Sequence, residues 1–283
     1  VTRGYARAPH KWNAEALKEH AARQDQKISI EERKGTYMTK IVICGATGKM
    51  GKMIANLALK DKDLKIVGAI DRESIPEFGQ DLGDALGTAK IGVNVTSDLA
   101  KAAEDADCVI EFTLPEPTLK HLAVCEQAGK PMVIATTGID EAGNKAIENA
   151  SKKIPVVYTP NMSIGVNLMF KLLAEAAKVL GKDFSIKGDE THHIHKKDSP
   201  SGTAKMMSKV IKDACGKDVV FEAFREGEVV GNHGVIFESG SETLEIRHDA
   251  KSREVFASGS IKAAKFLAGK KPGLYKMADV LGL

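Results

Sequence analysis

The chain of 283 residues is long enough for two ordinary domains, and its 43% hydrophobic and 28% charged residues suit a globular protein with a full core. No apolar run approaches the roughly 18 residues of a membrane helix, so no membrane association is expected. The net charge of +3 belongs to the N-terminal end: residues 1–37 hold eight Lys/Arg and five Asp/Glu, and the remainder carries 33 of each. A neutral body offers no basic footprint for nucleic acid.

Residues 1–37 contain the sole tryptophan, Trp12, and a possible short polar helix at 14–25. The segment has no apolar signal-peptide core. Its acids, Glu15, Glu19, Asp25, Glu31 and Glu32, argue against a transit peptide. We expect 1–37 to be an upstream extension with Met38 as the natural start; the alternative is an arm that packs on a neighbouring subunit. Cys44, Cys108, Cys125 and Cys215 are far apart and form no Cys-x-x-Cys pair, which argues against a zinc ribbon, a redox pair or a disulfide framework. A reducing, cytoplasmic setting is the simplest fit.

Lys40–Cys44 is a short β-branched run, followed by the loop Gly45-Ala46-Thr47-Gly48-Lys49-Met50-Gly51 and a helical stretch over 50–59. Strand, glycine loop and helix are the context of a dinucleotide fingerprint. Glycines let the backbone approach a pyrophosphate, and the helix N-terminus offers N–H groups to it. The spacing is Gly-x-x-Gly-x-x-Gly, which alone is a weak signal. A second strand at 64–70 ends on Asp71, about 20 residues past the loop, where an acid bonds the adenosine ribose. Arg72 is placed for a 2′-phosphate, so NADH and NADPH are both candidates; a solvated Asp71-Arg72 turn is the alternative.

The alternation continues with strands at 107–112, 132–135 and 155–158 and helices at 116–128 and 141–151. Pro117 stands in a first helical turn, where proline is tolerated. Alternating elements imply a Rossmann-like doubly wound parallel sheet, with ligands at the carboxyl ends of the strands. Those ends include Ala135-Thr136-Thr137 and Thr159-Pro160-Asn161-Met162. After Asn161 the pattern changes. A helix at 165–180 has Val166, Met169, Phe170, Leu173 and Ala177 on one face, with Gly181 as its stop. A strand at 184–191, a helix at 203–214 and strands within 219–224, 228–238 and 242–248 predict a second, α+β domain with an open mixed or antiparallel sheet. The tail at 258–268 is helical and suited to return to the first domain. The expected division is therefore 38–162 with 252–283 for the dinucleotide, and 163–251 for substrate and oligomerisation.

Three histidines and two lysines fall within six positions at 192–197, ahead of Ser201-Gly202-Thr203. His192 and Lys196 lie on one side in either a helix or a strand. Lysine can be an anchor or an acid, and histidine titrates near neutrality. Ser201 is a good N-cap, and the amides after it favour an anion. An ordinary capped helix and a non-catalytic histidine cluster are the alternatives. A metal on His193 and His195 lacks a cysteine or acid-rich partner, so none is expected.

The loop at 45–51 and the run His192–Ala204 together resemble the dihydrodipicolinate reductase family of lysine and diaminopimelate biosynthesis. The likeness extends through Glu111-Phe112-Thr113, Thr136-Thr137-Gly138 and Asn161–Asn167, and covers nearly all of 38–283. Ser199, Ala135 and Met162 stand where alanine, glycine and phenylalanine are usual, and 214–225 looks shorter than in typical members. The resemblance implies hydride transfer from NADH or NADPH to a cyclic, unsaturated dicarboxylate, with the domains hinging shut. It implies Gly45, Ala46, Thr47, Gly48, Lys49 and Met50 at the pyrophosphate, Asp71 and Arg72 at the ribose, and Ala135, Thr136, Thr137, Thr159, Pro160, Asn161 and Met162 at the nicotinamide end. It further implies His192 as proton donor/acceptor, Lys196 as proton donor, and His193, Gly202 and Thr203 as substrate contacts. A homotetramer built on the second domain's sheet is also implied. The rivals are an aspartate or homoserine dehydrogenase type, which would need a different motif at 192–204, and a non-catalytic NAD(P) sensor, which has no need of His192 with Lys196.

Overall fold

A computed structural model describes residues 38–283; Trp12, the helix expected at 14–25 and the proposed start boundary lie outside or at the edge of that range. β1 (Thr39–Cys44), α1 (Lys49–Lys60) and β2 (Leu64–Ile70) form the first crossover unit, with β1 and β2 parallel. β1 sorts its side chains between two cores. Ile41 and Ile43 face one, Val42 and Cys44 the other, and all four are fully buried. A strand buried on both faces needs an unbroken apolar run, which is why 40–44 is readable in the sequence.

The segment from 72 to 106, where no elements were assigned from sequence, holds α2 (Leu82–Leu86), β3 (Val95–Thr96) and α3 (Leu99–Ala102). These are too short to show a period. The chain then continues through β4 (Cys108–Glu111), α4 (Pro115–Ala128), β5 (Met132–Ile134), α5 (Glu141–Ser151) and β6 (Pro155–Tyr158). The strands lie in the order β3-β2-β1-β4-β5-β6, every pair parallel. The sheet order therefore reverses direction beside β1, and the crevice at such a switch point is where open α/β sheets bind ligands.

α6 (Ile164–Leu180) leaves the large sheet and runs to the second one. Ser163 caps it by accepting from the Val166 amide at 3.3 Å. Gly181 stands at the end of the helix, as the sequence suggested, with φ −58°, a conformation open to any residue. A side chain there would strike the Ala177 carbonyl and Cys215; the glycine permits close packing of two helices. β7 (Ser185–His192), α7 (Gly202–Cys215), β8 (Phe221–Arg225), β9 (Asn232–Glu238) and β10 (Thr243–Asp249) complete a four-stranded sheet of order β10-β9-β7-β8. β7 pairs parallel with β8 and antiparallel with β9, so the sheet is mixed. One face packs on α6 and α7 through Val166, Met169, Leu173, Met207, Val235 and Phe237, and Met169 is core, as its spacing suggested.

Strand alternation puts Glu190, His192, His233 and His248 on that inner face, beyond the apolar cluster. The tail then returns: α8 (Glu254–Leu267) packs on α1, β4 and β5, β11 (Gly273–Tyr275) adds a seventh parallel strand beside β6, and α9 (Met277–Leu281) follows. Gly259 of α8 lies where a side chain would strike the Met162 carbonyl. That close approach seats the β6–α6 connection on the large sheet's helical layer.

Candidate active site

A cleft of about 310 Å³ opens where the carboxyl ends of the large sheet's strands meet the end of the small sheet. Met50, Ala135, Thr137, Pro160, Asn161 and Met162 line it from one side. His192, His193, Lys196 and Thr203 line it from the other. Part of each sequence-derived set thus meets on one cavity; Gly45 to Lys49, Asp71, Arg72, Thr136, Thr159 and Gly202 are not in its lining.

The glycine loop is a tight turn. Gly45 has φ +74°, a conformation that favours glycine, and its amide and that of Ala46 both donate to the Ile70 carbonyl at 2.8 and 3.1 Å. A Cβ on Gly51 would run into the Gly45 carbonyl and the Ala46 backbone, so the helix lies directly on the loop. Gly48 caps α1 without a side chain, and Gly48 and Lys49 are exposed. Asp71 sits at the end of β2. One carboxylate oxygen accepts from the Thr47 hydroxyl at 2.6 Å and the Thr47 amide at 3.0 Å, while the other accepts from the Arg72 amide at 2.9 Å. An exposed helix start at Gly48 and Lys49, a loop packed too closely on the helix for any side chain at Gly51, and an acid at the next strand end fit a dinucleotide. Thr136 and Thr159 are buried props instead of cleft surface. The Thr136 hydroxyl meets the Thr118 hydroxyl at 2.7 Å and donates to the Thr113 carbonyl at 3.2 Å; that of Thr159 donates to the Asn161 carbonyl at 3.2 Å.

On the substrate side, β7 stops at His192 and the chain turns, with the Lys196 amide donating to the His193 carbonyl at 3.1 Å. A turn, neither strand nor helix, thus brings Lys196 back to the cleft that His192 lines. His195 lies exposed, 3.6 Å from Glu228. The Lys196 ammonium pairs with Asp198 at 2.8 Å. Partial burial opposes ionisation of Asp198, but Lys196 and the Gly202 amide hold its carboxyl below the ordinary value. Ser201 caps α7 by accepting from the Ala204 amide at 3.1 Å. Asn161 reaches across the cleft to donate to the Thr203 hydroxyl at 2.9 Å.

Beneath these residues lies a group that the sequence reading left without roles. Glu190 is fully buried; one carboxylate oxygen accepts from the Ser201 amide at 2.8 Å, with Arg225 at 3.5 Å. Its other oxygen is 3.4 Å from Nδ1 of His192 and 3.7 Å from Nε2 of His233. The two imidazoles stand edge to face, 5.0 Å apart. His248 completes the row, 3.3 Å from the Ser163 hydroxyl. Inward alternation along β9 and β10 was the available signal for His233 and His248, but it carries no chemistry until the strands are paired. Glu190, His192 and His233 also form a two-histidine, one-carboxylate set with donor atoms within 4.8 Å of one another. Arg225, and Lys196 in the same cleft, oppose a dication there.

Burial pushes His192 down to about 4, helped by Lys196 and Arg225 against the opposing charge of Glu190. Burial, with the neighbouring histidines, pushes His233 down to about 3. Both rings are neutral at pH 7, so the His192 imidazole is free to accept a proton there.

A glycine loop on a doubly wound sheet, with an imidazole, an ammonium and a helix start at a cleft by its strand ends, is the make-up of a nicotinamide-dependent oxidoreductase. The family model "Dihydrodipicolinate reductase, N-terminus" matches residues 39–162, and "Dihydrodipicolinate reductase, C-terminus" matches 165–281. The 4-hydroxy-tetrahydrodipicolinate reductase of Cupriavidus metallidurans is 43% identical over 264 residues, covering 86% of this chain and 99% of its own. That of Anaeromyxobacter dehalogenans is 41% identical, covering 87% and 98%. The dipicolinate-bound dihydrodipicolinate reductase of Paenisporosarcina shares the fold at a TM-score of 0.72 with 22% identity, covering 86% of this chain and 98% of that one. The chain belongs to the dihydrodipicolinate reductase family.

The histidine shifts set a pH dependence. The unfolded chain protonates these rings near 6.5, the folded protein only near 4 and 3. In that window the unfolded state binds more protons, so stability falls as the pH is lowered through it. Thermal unfolding from pH 7 to 4.5 should show a steeper loss in the parent than in His233→Gln; parallel curves would contradict the buried neutral ring.

Proposed function

We propose that the protein is a 4-hydroxy-tetrahydrodipicolinate reductase, which reduces a small cyclic dicarboxylate at the expense of NADH or NADPH to give tetrahydrodipicolinate for lysine and diaminopimelate synthesis. The observation that carries this reading is the single cleft shared by the nucleotide side and the His192–Lys196–Thr203 side. When bound, the nicotinamide supplies the hydride. The loop at 45–50 holds the pyrophosphate, Asp71 the ribose, and Arg72 any 2′-phosphate. Ala135, Thr136, Thr137 and Thr159 to Met162 shape the nicotinamide end.

The residues across the cleft handle the dicarboxylate. His193, Gly202 and Thr203 receive its carboxylates at the start of α7, where the helix dipole favours an anion. Reduction of a conjugated ring needs a proton on the atom beside the one that gains hydride. Lys196 donates that proton, and the neutral imidazole of His192 accepts and returns protons beside it. The dicarboxylate competes with Asp198 for Lys196, and its charge raises the proton affinity of His192.

In this reading residues 38–162 and 252–283 form the nucleotide domain, and 163–251 the substrate and oligomerisation domain of a cytoplasmic homotetramer. The outer face of the small sheet supports the last point. It displays Phe224, 51% exposed, beside the charged pairs Arg247–Asp189 and Lys187–Glu238, a pattern that can complement itself about a two-fold axis.

NAD(P)H oxidation with dihydrodipicolinate synthase, pyruvate and aspartate semialdehyde tests the activity; absence of oxidation above background would refute it. Lys196→Ala should lower kcat by about 10²–10⁴-fold with nucleotide affinity intact, and unchanged turnover would remove Lys196 from the proton step. Asp71→Ala should weaken NADH binding by roughly tenfold or more in a folded protein; an unchanged Kd would remove Asp71 from the site. Sedimentation equilibrium should give four chain masses, and a monomer mass would contradict the tetramer.

A further inference from the structure

Two buried polar atoms in the substrate half lack a hydrogen-bond partner and face each other: Oε2 of Glu190 and Nδ1 of His192, 3.4 Å apart. An unpaired buried carboxylate oxygen is costly, and so is an unpaired imidazole nitrogen. A small ring rotation pairs them if Nδ1 carries the proton. Nε2, beside Gly231 in the cleft lining, is then the nitrogen left for proton traffic. A Cβ on Gly231 would come within 3.0 Å of that Nε2, so the glycine leaves the nitrogen room. The other oxygen of Glu190 is already committed, to the Ser201 amide at 2.8 Å and to Arg225. Arg225 in turn donates to the Asp198 carbonyl at 2.6 Å, which ties the whole 198–201 approach to the same carboxylate.

We infer that Glu190 is a positioning residue for both halves of substrate handling: one oxygen fixes the start of α7, and the other fixes the tautomer and orientation of His192. The inference rests on the reductase reading above. It explains why a fully buried carboxylate sits two residues before His192 on the same strand face. It also explains why His233 lies beside it: Nε2 of His233, 3.4 Å from the Ser201 hydroxyl and 3.7 Å from Glu190, closes the far side of the carboxylate and keeps water from it. Glu190 acts through Ser201 and His192 and does not itself line the cleft.

Glu190→Gln keeps the shape and an acceptor for the Ser201 amide but turns an NH₂ toward Nδ1. Imidazole ¹⁵N spectra at pH 7 should show His192 protonated on Nδ1 in the parent and on Nε2 in Glu190→Gln. In the coupled assay this variant should lose about 100-fold or more in kcat, with its Kd for NADH and its KM for the dicarboxylate within about threefold of the parent. Glu190→Ala, which also frees the Ser201 amide, should in addition weaken binding of pyridine-2,6-dicarboxylate to the NADH complex by about tenfold. An Nε2-protonated His192 in the parent would overturn the inference, as would a folded Glu190→Gln with parental kcat and tautomer. An inactive parent would instead refute the reductase reading, leaving the ¹⁵N comparison to decide the role of Glu190.

Discussion

The Asn161 side chain reaches across the cleft from the connection after β6 to the start of α7, donating to the Thr203 hydroxyl at 2.9 Å, and so ties its two walls together. Asn161 cannot move freely. Its side-chain oxygen accepts from the Ser163 amide and its backbone carbonyl from Asn167, both at 2.8 Å. Ser163 caps α6, and the Met162 carbonyl rests over Gly259 of α8. One residue therefore refers the strand ends of the nucleotide sheet, the origin of the long connecting helix and the start of α7 to a common frame. Reacting groups must be held at near-contact distance and in a fixed orientation for hydride transfer, and this buried polar cluster fixes the two walls of the cleft against each other.

Each sheet adds a buried carboxylate to that frame. Glu111, at the end of β4, accepts from the Thr113 amide at 2.7 Å and meets Nδ1 of His121 at 2.6 Å. Glu190, near the end of β7, accepts from the Ser201 amide and faces His192 and His233. In both places a fully buried acid fixes an amide in the loop leaving the sheet and stands against an imidazole. A buried carboxylate left without partners would be costly, so these loops have little freedom to adopt other shapes. Rigid loops on regular elements are what a cleft with fixed donors needs.

The parts of the protein legible in the sequence are those where one local signal has one structural reading. The unbroken apolar run of β1, the glycine loop and the amphipathic face of α6 each carry such a signal. The tail was readable as a helix, and its return to the large sheet follows from the alanine-rich face it offers to α1. The segment from 72 to 106 was not readable, because elements of two to five residues show no period. Gly181 ends α6 as its position suggests, but the packing against Cys215 that requires a glycine there has no local signal. In the site, the cluster at 192–204 announced itself by composition. His233, His248 and Arg225 come from strands whose partners are fixed only by the paired sheet, and Glu190 was visible but without a purpose until its neighbours were placed. Thr136 and Thr159, expected at the nicotinamide end, lie beneath the surface that Ala135, Thr137 and Pro160 present.

In the proposed function nucleotide and dicarboxylate meet in this one cleft, with His192, Lys196 and the start of α7 on the dicarboxylate. A crystal structure of the protein with NADH and pyridine-2,6-dicarboxylate tests it most directly. One carboxylate should lie at Gly202 and Thr203, with the ring between the nicotinamide and the His192–Lys196 pair and Asp198 displaced from Lys196. A dicarboxylate bound elsewhere, such as the shallow surface pocket beside Pro115 and Leu119, or a nicotinamide directed away from Met162, would contradict it.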